Sequence, residues 1–115
     1  STPLQALVLL NDPQFFEASR IFAERMIKSK DTLEDQISHG FRLATARHPK
    51  AEELEILIDL YNSQYKYFRQ NRDKAYQVLS VGEKARDINL YSVKTAAMTM
   101  VANTILNHNE TYTKR

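Results

Sequence analysis

The 115-residue chain is 43% hydrophobic yet holds only two Gly and three Pro, which argues against a turn-rich all-β fold and for long helices with few connections. Its 16 basic and 14 acidic residues are interspersed and leave a formal charge of +2, so no strong field points to nucleic acid or to an anionic membrane surface. With no Cys there is no disulfide framework, thiol nucleophile or zinc–thiolate centre, and no apolar stretch reaches the roughly 18 residues that span a bilayer.

The length suits one domain, residues 1–115. The pattern predicts an all-α fold: a compact helical bundle of about five or six helices with a buried C-terminal helix. The first expected helix runs from Leu4 to Leu10 and ends at Asn11-Asp12-Pro13, where Asp12 reads as the next N-cap and Pro13 occupies the first helical position, which tolerates its missing N–H. Domain ends are usually polar and frayed. Leu4, Leu7, Val8, Leu9 and Leu10 stand almost at the terminus, so the run is expected to belong to a longer chain, with Leu4, Leu7, Val8 and Phe15 as the candidate interaction surface.

The second expected helix reaches about Lys28, with Phe15, Ala18, Phe22 and Met26 as its buried stripe. Asp31-Thr32-Leu33-Glu34 resembles a capping box with Asp31 as the cap. The third helix follows, its inner stripe expected at Leu33, Ile37, Phe41 and Ala44, and Gly40 within it suggests close helix packing. His48-Pro49 breaks the pattern. Ala51, Leu54, Ile58, Tyr61, Tyr65 and Phe68 then mark the longest amphipathic stripe, acidic early and basic late as the helix dipole favours. A short helix is expected over Lys74 to Leu79, with Gly82 as a left-handed stop nearby. Glu83 to Asp87 reads as a loop. From Ile88 to about Asn107 the chain is apolar on most faces and reads as the central helix, followed by a polar tail from Glu110 to Arg115.

Few residues invite chemistry. His39, His48 and His108 do not share metal-ligand spacing; His39 with Asp35 reads as an i, i+4 surface ion pair. Glu52, Glu53, Glu55 and Asp59 crowd the start of one helix, where carboxylates are ordinary dipole features rather than an acid/base cluster. Tyr61, Tyr65 and Tyr67, with Phe68 and Tyr76 nearby, offer two readings: bundle core with phenol tips in water, or ligand-contact aromatics for carbohydrate. Lys66, Arg69, Arg72 and Lys74 read as a solvated helix end, not a single-strand nucleic-acid platform. Asn109-Glu110-Thr111 is a sequon, a short and common pattern. No phosphate loop, nucleophile elbow or haem-attachment motif is present, so no catalytic, metal or cofactor-binding residue is assigned.

Thr2-Pro3-Leu4-Gln5-Ala6-Leu7 followed by Leu10-Asn11-Asp12-Pro13-Gln14-Phe15 resembles the signature of the planctomycete-specific (PSD) domain of unknown function. Phe41 to Pro49 with Glu52-Glu53-Leu54 resembles that family's arginine-proline helix junction, and Val101 to Asn107 with Glu110 its C-terminal helix. Ala46 stands where the family often has Gly, and Asn109 where it often has Asp. The resemblance implies the C-terminal part of a large exported, extracytoplasmic protein that follows cytochrome c-type modules. Its partners would be the upstream domains of the same polypeptide. Haem, in parents that carry it, would sit in a separate module. The resemblance implies no established reaction. Three readings follow: a structural or interaction module, a carbohydrate-binding module, and an accessory part of a cytochrome-linked enzyme.

Overall fold

The computed structural model describes residues 13–107 and contains five helices with no strand among them: α1 (Pro13–Ser29), α2 (Leu33–Thr45), α3 (Ala51–Gln70), α4 (Arg72–Leu79) and α5 (Ser92–Asn107). The expected helix over Leu4 to Leu10, the Asp12 cap and the polar tail lie outside the described residues.

Helix α5 is the hub, and the other four all pack on it. Val93, Ala96, Ala97, Met98, Met100, Val101, Ala102 and Ile105 are buried, as expected of a helix apolar all round. Its hydroxyls reach this interior by bonding back one turn. Thr95 donates to the Tyr91 carbonyl (3.1 Å), Thr99 to Thr95 (2.7 Å) and Thr104 to Met100 (2.9 Å), so none is left as an orphan.

The expected start of this helix at Ile88 is corrected. Ile88 is 77% exposed, and Asp87 organises a turn by accepting from Asn89 N–H through its side chain (3.0 Å) and from Leu90 N–H through its carbonyl (3.2 Å).

The phase of α1 also differs from expectation. Its buried face carries Phe16, Ser19, Arg20, Ala23, Glu24, Met26 and Ile27, while Phe15 and Phe22 are half-buried and Ala18 is exposed. Two charged residues lie on the inner side, so a reading that sends charge to solvent turns the helix by about one position. In α3 the inner face is Leu57, Tyr61, Gln64 and Phe68, with Leu54, Ile58 and Tyr65 flanking it and Ala51 exposed.

Local signals explain the boundaries. The cap of α2 is Thr32 rather than Asp31: its backbone is extended (φ −107°, ψ 153°) and its hydroxyl accepts the Asp35 N–H at 3.2 Å. The helix ends at Ala46, a non-glycine residue in left-handed conformation at φ 63°. Helix α3 opens with the Glu53 carboxylate accepting the Lys50 N–H at 2.8 Å. Asn71 interrupts α3 and α4 by leaving helical geometry, and its side chain donates to the Tyr67 carbonyl at 2.9 Å. Gly40 allows the close packing expected of it, because a Cβ there would stand 2.6 Å from both Sδ and Cε of Met26.

Candidate functional site

The segment from Ser80 to Tyr91 returns the chain from α4 to α5 without regular structure, and α1 holds it by charge. Arg20 is fully buried, an unusual place for a guanidinium. It pairs with Glu24 one turn on (Nη1–Oε2 2.9 Å) and its Nη2 donates to the Lys84 carbonyl, while Nε has no partner. Glu24 in turn accepts the Asp87 N–H (2.9 Å), and Glu17 accepts the Lys84 N–H (2.6 Å). Lys28 closes the group on Asp87 at 2.6 Å. Its hydrogen bond to Asp87 raises the Lys28 ammonium above its ordinary range and lowers the Asp87 carboxyl. Gly82, at φ +92°, passes over Glu17, where any Cβ would collide with the carboxylate. Sequence reading missed this clamp. The available signal was Arg20 and Glu24 at i, i+4 among the apolar Phe16, Ala23 and Ile27.

The three candidate tyrosines do not form one set. Tyr61 is buried, and Tyr65 and Tyr67 are half-buried. Tyr65 meets Tyr61 at 5.8 Å between ring centroids, and Tyr91 from the long loop at 6.4 Å, edge to face. Tyr67 turns instead to Phe68 at 5.3 Å. Burial raises the Tyr61 phenol well above its ordinary value, and Lys94, whose own ammonium is lowered by burial, sits 5.5 Å over its ring. Tyr91, which the sequence reading left out, is 45% exposed, with the Arg72 guanidinium 5.5 Å over its ring and donating to its hydroxyl at 3.0 Å.

Of the candidate interaction surface, Phe15 is half-buried on α1, while Leu4, Leu7 and Val8 lie outside the described residues. On the same helix Ala18, Ile21, Phe22 and Arg25 form an open groove of about 320 Å³ with Leu106 of α5. The acidic residues at the start of α3 separate. Glu53 faces Arg47 in a two-pronged pair (2.9 and 2.8 Å) that lowers its carboxyl to about 2, while Glu52, Glu55 and Asp59 are exposed. Asp35 and His39 form no ion pair. Among the described residues no three His, Asp or Glu side chains are placed to hold a metal ion, and no helix is long and apolar enough to cross a membrane.

No curated protein and no solved structure matches the chain. The resemblance carried by Val101 to Asn107 lies beyond the span of the family match, which includes both the opening motif and the helix junction around Pro49. The model for PSD1, protein of unknown function (DUF1553), matches residues 1–61, more than half of the chain, and the chain belongs to that family.

Proposed function

We propose that this chain is a non-catalytic structural or interaction module that packs on the rest of a large extracytoplasmic protein. The observation that carries the reading is the open groove on α1. Ala18, Ile21 and Phe22 have the spacing and apolarity of a core stripe, yet the described bundle leaves Ala18 exposed and Ile21 and Phe22 only half-buried beside Leu106. Apolar surface arranged at helical spacing gains free energy when covered, at about 25 cal/mol per Å². The partner that fits is an apolar helical face from upstream in the same polypeptide, a partner that the family resemblance implies. The extracytoplasmic setting rests on that resemblance alone.

The test is a titration of the isotope-labelled chain with the separately expressed upstream part of its parent, read by NMR. The expected result is a set of amide shifts confined to residues 4–25 and to Leu106. A well-dispersed spectrum that does not change would sink the proposal and mark an autonomous domain.

One observation supports the second reading, a carbohydrate-binding module built on the tyrosines. Tyr65 and Tyr91 present partly exposed rings to each other, with Arg72 adjoining. Such rings stack on sugar faces. Titration with neutral oligosaccharides would shift the Tyr65 and Tyr91 ring protons if they do so here, and the absence of any saturable shift rejects this reading.

A further inference from the structure

Helix α2 sits between two short connections, 30–32 and 46–50. Asp35, Ser38, His39 and Arg42 occupy successive turns on one outward face of it. Lys30 from the first connection and His48 from the second complete a polar cleft of about 420 Å³ along that face. Three separate segments thus contribute donors to one depression: an ammonium, a guanidinium, two imidazoles and a hydroxyl, against the single carboxylate of Asp35.

None of these six side chains bonds to another described residue, whereas nearby charges are paired, Lys28 with Asp87 and Arg47 with Glu53. The backbone beneath them, by contrast, is fixed. Buried Gln36 donates to the carbonyls of Ile27 (3.2 Å) and Lys30 (2.8 Å), tying the first connection to α2. Arg47, clamped by Glu53, also donates to the His48 carbonyl at 3.2 Å, and the buried Thr45 hydroxyl bonds the Phe41 carbonyl at 2.8 Å. The walls are pinned, so binding has to order only the side chains on them and not the backbone that carries them.

We propose that this cleft binds a tetrahedral oxyanion, a phosphate or sulfate, free or as the head of a small ester. Arg42 supplies a planar fork of N–H donors and Lys30 a point charge, the pair that phosphate and sulfate oxygens take up. His39, His48 and the Ser38 hydroxyl add further N–H and O–H donors. Oxygens that point four ways suit donors on three segments better than the two coplanar oxygens of a carboxylate. Asp35 accepts a hydroxyl from the organic part of an ester.

The experiment is NMR titration of the labelled chain with inorganic phosphate, inorganic sulfate and glycerol phosphate, each at ionic strength held constant with chloride. Saturable shifts at Ser38, His39, Arg42 and His48 are expected. The Lys30→Ala/Arg42→Ala variant should bind at least roughly tenfold more weakly, as loss of charge-assisted bonds implies. Arg69→Ala removes a comparable exposed charge on α3 and should bind as the parent does. Both cations of the cleft are exposed, so the variant is expected to keep its thermal melt. Tighter binding of glycerol phosphate than of phosphate identifies an ester ligand, and equal binding a free ion. Shifts that fail to saturate, or that weaken equally in the Arg69→Ala control, overturn the proposal.

Discussion

Arg20→Met should be among the most damaging single changes in this chain. Methionine keeps most of the side-chain volume, so the cavity contribution is small. The cost comes from the partners left behind. Glu24, with a side chain only 8% exposed, keeps the Asp87 N–H and the more distant Lys28 charge but loses the guanidinium paired with it at 2.9 Å, and the Lys84 carbonyl loses its donor. Removing one partner of a buried pair costs about 3–5 kcal/mol, within which the orphaned carbonyl accounts for about 1 kcal/mol or more. Against the 5–15 kcal/mol typical of a whole domain, that is a large fraction. Urea unfolding followed by circular dichroism would measure it, with an unchanged m-value as the check that only stability moved. Glu24→Gln supplies the second arm. In the Arg20→Met background it removes the stranded charge yet retains an acceptor for Asp87, so the double variant should recover about 1 kcal/mol or more. A single-variant loss under about 1 kcal/mol, or a double variant less stable than the single, refutes the view that charge compensation holds the loop.

The Arg47–Glu53 pair should make stability depend on acid. Glu53 has its folded value lowered to about 2 from an ordinary 4.5, so its contribution is present above about 4.5 and is lost as pH falls toward 2. Glu53→Gln should therefore cost about 1 kcal/mol at neutral pH and almost nothing near pH 2, and urea melts that give one difference at both values contradict this. Gly40→Ala gains up to about 1 kcal/mol of helix propensity but drives a methyl into fully buried Met26, meeting it as far up the side chain as Cγ at 2.8 Å; a net loss of about 1–2 kcal/mol is expected, and a rise in melting temperature would show that Met26 moves aside freely. Ile21→Asp, in the open groove, should leave the melt within about 0.5 kcal/mol of the parent while abolishing the amide shifts caused by the upstream partner; a large stability loss would place Ile21 in the core instead.

Much of the architecture is legible in the residues because the punctuation is local. Pro13, the His48-Pro49 pair and Gly82 act through their own backbone geometry, and each lies at or near an element boundary. Gly40 was readable because a glycine costs helix stability unless something lies close. The phase of α1 was not, since Ser19, Arg20 and Glu24 face inward through partners more than sixty residues away in sequence, at Lys84, Asp87 and Asn103. Ile88 misleads in the opposite sense: it is apolar, but the Asp87 turn precedes the helix and leaves it in solvent. The tyrosines scattered for a geometric reason. Tyr65 and Tyr67, two apart on a helix, face different neighbours, and Tyr91 arrives from elsewhere. The cleft on α2 escaped notice because Asp35 and His39 alone suggest an ion pair; only the fold brings Lys30 and His48 to them.

The hub position of α5 bears on how the chain is made. A ribosome releases α1 to α4 before the helix on which they all pack has been assembled. At about 5–20 residues per second, the inner face of α1 waits on the order of ten seconds for its partner. During that interval Phe16, Ala23, Met26 and Ile27 have only neighbouring helices to cover them. The nascent polypeptide therefore cannot complete its core until α5 has been made. That delay favours handling by a chaperone, and a stop codon early in α5 would remove the buried stripe from Val93 to Ile105 on which the other helices pack.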